Sequence, residues 1–228
     1  MSLDPSEAHG HSAAGPLEAH GHAAAGPSRW RASPARLLRL MVGLVLFGVG
    51  DGVLVHSALG NSPWTVLAEG AAEQVGAAIG ITTIAISFLI LLLWIPLRQP
   101  PGLGTLLNAV VVGVMIDVTL RLLGEGSGLL VVRLLEIPAA IALVSVGSGL
   151  YLTARLGPGT RDGLMTGLAL RTGASIRRTR SLIELSACGV GVALGGTIGL
   201  GTLAFALLIG PGVQFVLTRM GTTGAADL

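Results

Sequence analysis

Two carboxylic acids, Asp51 and Asp117, stand inside long apolar runs. An acid at the centre of a membrane helix costs on the order of 2.5–3.5 kcal/mol by insertion scales, so it must face the bundle interior or a wet cavity. Residues so placed suit ion or proton coupling and ligand binding. His56 follows Asp51 by about one helical turn and can share a proton with it; a hydrogen bond to a neighbouring helix is the simpler role for it. Asn108 lies on the same apolar run as Asp117. Four more candidates come from two polar interruptions. "NSPWT" follows the first apolar run and supplies Pro63 and Trp64; "PGTRDG" follows a later one and supplies Arg161 and Asp162.

These interruptions read as helix starts. Pro63 is tolerated in a first turn, where the N–H has no partner anyway, and Ser62 is a natural N-cap. Thr160 and Asp162 occupy the corresponding start in the second interruption. Two short half-helices of this kind would aim their positive ends into the protein. The rival reading lays both segments flat on opposite membrane surfaces, a setting that suits Glu69, Glu73 and Arg171. The sequence leaves both readings open.

The elements that must position these residues follow from composition. Apolar residues make up 51% of the chain and charged residues only 11%. A soluble domain carries roughly 25% charged residues, so the chain is expected to be an all-α polytopic membrane protein in contact with the lipid bilayer. Six stretches approach the ~20 residues needed to cross: 37–59, 79–97, 103–122, 134–154, 182–198 and 202–217. All 14 basic residues are arginine. With six spans and a cytoplasmic N-terminus, most arginines gather on the cytoplasmic side, which the positive-inside tendency favours. That reading gives a bacterial inner-membrane protein with both termini in the cytoplasm. A net charge of +2 offers no footprint for nucleic acid.

The chain also repeats itself. An offset of 97 residues aligns Val42–Val118 with Ala139–Phe215 without a gap, with 22 identities in 77 positions. "GDGVLVHSALG" meets "GSGLYLTARLG", and "GLGTLLNAVVVG" meets "GLGTLAFALLIG". The expected unit is three spans with a short re-entrant or interfacial helix after the first, repeat 1 covering about 36–123 and repeat 2 about 133–219. An odd number of spans inverts the second unit, the arrangement many secondary transporters use. Under the alignment Asp117 corresponds to Gln214 and Asp51 to Ser148. The two "GLGT" segments fall between spans, where Gly permits a tight reversal and Thr can cap the next helix.

Other chemistries find little support. Lone Cys188 allows no internal disulfide, and no motif for a metal or cofactor is present. "SVGSG" at 145–149 superficially resembles a buried Ser nucleophile with His56 as base, but no third partner accompanies them, so an enzyme is not expected. Residues 1–34 form an Ala-, Gly-, His- and Pro-rich tail with a tandem duplication, expected to be disordered; its histidines offer at most loose metal binding. Residues 220–228 form a short C-terminal tail. The loop "RTGASIRRTR" presents Arg171, Arg177, Arg178 and Arg180, a surface for a cytoplasmic partner or for anionic lipid. Arg180 and Glu184 have the spacing of a local ion pair.

At "LGNSPWTVL", at "GLGTLLNAVVVGVMID" and along Gly157–Pro211 the chain resembles the YczE/YyaS/YitT family of bacterial membrane proteins, closest to its YczE-like branch. The resemblance covers about residues 36–219. Members commonly read Pro-Trp-Asp where this chain has Pro63-Trp64-Thr65. The resemblance implies an inner-membrane protein of unestablished function, for which transport is the usual suggestion. The expectation is therefore a transporter or exporter of an unidentified small molecule, with a membrane scaffold protein as the alternative. A homo-oligomer is left open.

Overall fold

The computed structural model describes residues 29–124, 126 and 128–221. Among them are eight α-helices and no strand: α1 Pro34–His56, α2 Pro63–Val75, α3 Ile79–Leu97, α4 Leu103–Leu123, α5 Leu130–Thr153, α6 Thr160–Thr172, α7 Ile176–Ala193 and α8 Leu200–Arg219. Five of them, α1, α3, α4, α5 and α8, are long and apolar enough to cross a membrane by length and composition.

The sixth expected span differs from the reading of the sequence. In place of 182–198, α7 runs from Ile176 to Ala193 and carries Arg177, Arg178, Arg180 and Glu184. Ser175 caps it early by accepting from the Arg178 amide at 3.3 Å, and a turn through Gly195 (φ 104°) follows its end. The charged first half is what excludes it from the apolar set.

The centre of the fold is the crossing of α1 and α5. It is close because glycines stand at the contact: a Cβ at Gly147 would lie 2.6 Å from the Gly43 carbonyl, and one at Gly50 would lie 2.9 Å from the Ala140 carbonyl. Small residues are the usual way membrane helices bring their backbones together. The helices run antiparallel, and each end is held by an arginine. Arg36, at the start of α1, donates to the carbonyls of Ala154 (2.9 Å) and Arg155 (2.7 Å) just past α5. Arg133, at the start of α5, donates to Ser57 (2.6 Å) and Ala58 (2.8 Å) just past α1. Each guanidinium thus satisfies carbonyls that a helix end leaves unpaired.

Around this crossing α4 packs on α1 and α8 on α5. The short helices fill the remaining flanks, α2 against α7 and α3, α6 against α3 and α7. Two loop contacts lock the halves together: Gly201 donates to the Leu59 carbonyl and Gly104 to the Leu156 carbonyl, both at 2.8 Å. Thr105, expected as a cap, accepts from the Gly102 amide at 3.1 Å and donates to the Pro158 carbonyl at 2.7 Å. Buried clusters form where α1, α4 and α5 meet (Leu40, Leu44, Ile116, Tyr151) and where α2, α3, α6 and α7 meet (Trp64, Ile90, Trp94, Met165).

The edges of the tail also shift. Pro34 opens α1, and the Arg29 carbonyl accepts from the Leu103 amide at 3.1 Å, so residues 29–34 belong to the folded part. The histidine-rich stretch and residues 222–228 lie outside the described residues.

Candidate functional site

The N-terminal ends of α2 and α6 are buried and meet, while the residues that end them, Val75 and Thr172, are exposed. Ser62 occupies the N-cap of α2 without bonding its backbone; its hydroxyl lies 2.8 Å from that of Thr65. In α6 the N-cap is Gly159, and Thr160 is the first helical residue. Trp94, reaching across from α3, donates its indole N–H to the Thr160 carbonyl at 3.1 Å. That bond fixes the start of α6 against α3.

Between the two helix starts lies a cavity of about 280 Å³. Its polar end is made by Trp64, Asn108, Tyr151, Arg161 and Asp162. Phe47, Val144, Phe205, Ile209 and Val213 supply apolar lining, Phe47 packed edge-on against the Tyr151 ring. The Arg161 guanidinium stacks over the Trp64 ring, 5.4 Å from its centroid, a cation–π contact that joins α6 to α2. The Tyr151 hydroxyl donates to Asp162. Asp51 is buried on α1, with one oxygen 3.4 Å from the Thr65 hydroxyl. Asp51, Asp162 and Glu184 are the carboxylates whose charge acts on Arg161. Buried polar atoms here that lack a protein partner among the described residues include Trp64 Nε1, Asp51 Oδ1 and Thr160 Oγ1.

Of the residues singled out in the sequence, Pro63, Trp64, Asn108, Arg161 and Asp162 line the cavity, and Asp51 lies immediately behind it. Two others sit elsewhere. His56 pairs with Glu136 of α5, Nδ1 to Oε1 at 2.8 Å, and is not brought to Asp51. Asp117 accepts from the Gly80 amide at 2.7 Å. Gly80 is in the first turn of α3, so Asp117 satisfies a helix-start N–H from the neighbouring helix.

Tyr151 and Glu136 are not marked in the sequence, and the spacing of Arg180 and Glu184 (2.8 Å apart) gives their ion pair only a local role. Both members of that pair line the cavity, as do Ser148 and Gln214. The repeat alignment held a signal for the last two, since it matched Ser148 to Asp51 and Gln214 to Asp117. For Tyr151 there was none beyond a lone Tyr in an apolar helix. Glu69, expected on a wet surface, instead accepts from the Asn61 side chain (2.8 Å) and from the Thr197 hydroxyl (3.1 Å), tying α2 to the α7–α8 turn. Among the described residues no group of acidic, His and Cys side chains is arranged to hold a metal ion.

Comparison with known proteins places this geometry in a family without an assigned role. A family model described as "Family of unknown function (DUF6198)" matches residues 34–218. An uncharacterized protein of Haemophilus influenzae is 43% identical over 190 residues, 83% of this chain and 87% of that one. The uncharacterized membrane protein YczE of Bacillus subtilis is 33% identical over 182 residues, 78% and 83% of the two chains. The uncharacterized protein YyaS of the same organism is 26% identical over 165 residues, 71% and 82%. No solved structure matches the chain.

Proposed function

The chain belongs to the DUF6198 family, and from that premise we propose that it is a secondary transporter or exporter of a small molecule, bound in the cavity where α2 and α6 meet. It is a multi-pass membrane protein, homologous to YczE and YyaS. The observation that carries the proposal is the meeting of two buried half-helix starts at a cavity lined by both polar and apolar side chains. Secondary transporters with inverted repeats build their sites in this way.

Exchanged contacts support an inverted duplication. Moving each residue by 97 turns the Gly201–Leu59 hydrogen bond into the Gly104–Leu156 bond. It likewise turns the Arg36 clamp on Ala154 and Arg155 into the Arg133 clamp on Ser57 and Ala58. The same exchange relates the Gly147–Gly43 approach to the Gly50–Ala140 approach. Because α1 and α5 are antiparallel, a two-fold relating them lies across the helices, in the plane of the membrane. On this reading α7 is the counterpart of α3 and the sixth span, with Arg180 and Glu184 turned to the cavity. Helices α2 and α6 are re-entrant, since their first turns are buried and their ends exposed. The role is non-enzymatic, in an inner membrane, with cytoplasmic termini.

In the mechanism, one repeat rocks on the other about the α1–α5 crossing. Arg161 and Asp162 bind the polar part of the ligand from opposite charges, while Tyr151 orients the Asp162 carboxylate. Rocking predicts a state in which α7 approaches α8 as α3 already approaches α4. The test is a Cys188→Ser protein carrying Arg177→Cys and Gly210→Cys, the places that correspond to Gly80 and Gly113. Disulfide formation in membranes supports the proposal; a folded double variant that never cross-links overturns it. The exposure of Arg177 and Arg178 favours one other reading, a scaffold that docks a cytoplasmic partner or anionic lipid. It requires that neutralising those two arginines abolish activity in cells while Arg161→Gln leaves it intact.

A further inference from the structure

The cavity has one side without a helix–helix seam. Helix α3 packs along α4, but α7 packs on α2 and α6 while α8 packs on α5. The cavity reaches into the space between α7 and α8, where Arg180 and Glu184 line it from one helix and Phe205, Ile209, Gly210 and Gln214 from the other. A Cβ at Gly210 meets no described atom within 4 Å. Outside this gap the two helices present Leu182, Leu185, Leu203 and Leu207, all more than half exposed, the surface expected of helices against hydrocarbon. The opening therefore faces the bilayer.

Charge at the polar end is nearly balanced. Among the side chains that line it, Asp162 and Glu184 offset Arg161 and Arg180. The starts of α2 and α6 each add roughly half a positive charge, with Asp51 buried behind them. A ligand with a net charge of either sign would unbalance this set in a medium that screens poorly. The Arg161 guanidinium, stacked over the Trp64 ring and lining the cavity, offers donors to a polar head. The apolar lining of Phe47, Val144, Phe205, Ile209 and Val213 offers hydrocarbon to a tail. A volume of about 280 Å³ leaves no room for a second chain.

We infer that the ligand is a single-chain amphiphile with an electroneutral polar head, admitted from the bilayer between α7 and α8. This rests on reading the cavity as the ligand site, and it adds the chemical class and the route. The head lies against Trp64, Arg161 and Asp162; the tail lies along α5 and α8.

The test holds the full chain in lipid nanodiscs and detects 1:1 adducts by native mass spectrometry. Three probes share one tail and differ in the head: dodecylphosphocholine, dodecyl sulfate and dodecyltrimethylammonium. Expected is retention of dodecylphosphocholine over both charged probes by about tenfold, equivalent to roughly 1.4 kcal/mol. Gly210→Phe, which fills the gap without a clash, and Arg161→Gln should each lower retention by a similar factor. Preference for either charged probe overturns the electroneutral class. Retention unchanged in Gly210→Phe overturns the route between α7 and α8. No adduct with any probe in the wild type overturns the inference, and that result needs no variant to fold. The cysteine cross-link between α7 and α8 would still form in that case if the transporter reading stands, so the two failures are separable.

Discussion

The α3–α4 seam and the α7–α8 gap occupy corresponding places in the two halves of the sequence, yet one is closed and the other open. On the closed side Gly80 and Gly113 face each other so closely that a Cβ on either would strike the other's carbonyl, and Asp117 accepts from the Gly80 amide. On the open side those places are taken by Arg177, Gly210 and Gln214. In this structure Arg177 stands where the other half has Gly80, α7 and α8 make no such small-residue contact, and Gln214 lines the cavity instead. The charged first half of α7, with Arg177, Arg178, Arg180 and Glu184, is what leaves it out of the five helices able to cross by composition.

The largest effect should come from filling the closed seam. Gly113→Leu places a Cβ 2.5 Å from the Gly80 carbonyl and should destabilise the protein by about 3 kcal/mol, the upper part of the range for overpacking. Gly210→Leu, its counterpart, meets open space and should stay within about 0.5 kcal/mol. Thermal unfolding of the two variants side by side checks this, and equal losses would remove the distinction between seam and gap.

Next come the two arginine clamps, where the halves should behave alike. Arg36→Met and Arg133→Met each remove two charge-assisted bonds to helix-end carbonyls and should each cost about 1.5–3 kcal/mol. A large difference between them in the same unfolding assay would break the exchange symmetry of the α1–α5 crossing.

A smaller effect is expected from the acid at the seam. Asp117→Ala leaves the Gly80 amide without its acceptor and should cost about 1 kcal/mol, as for a lost helix cap. Binding should survive it. Gln214→Ala should do the reverse, leaving stability within about 0.5 kcal/mol while weakening retention of dodecylphosphocholine. If Asp117→Ala abolished binding without loss of stability, the acid would be a ligand group and not a cap.

How much of this was legible beforehand varies by residue. Pro63, Trp64, Arg161 and Asp162 were readable because a proline after an apolar run, and its repeat counterpart, mark helix starts by local chemistry alone. Asp117 and His56 were marked by the cost of burying a charge, which identifies a residue that needs a partner without saying which. Their partners, the Gly80 amide and Glu136, lie on other helices. Tyr151 carried no local signal, since its role depends on Asp162 arriving from a different helix.

The sequence by itself determined the helical membrane class and the limits of most apolar helices within a few residues, because both rest on local composition along the chain. Only the tertiary structure decided that the starts of α2 and α6 converge, that Arg161 stacks on Trp64, and that α7 leaves α8 uncovered. Those outcomes depend on which backbones can approach, and approach is set by pairs of residues far apart in sequence, such as Gly43 with Gly147 and Gly80 with Gly113.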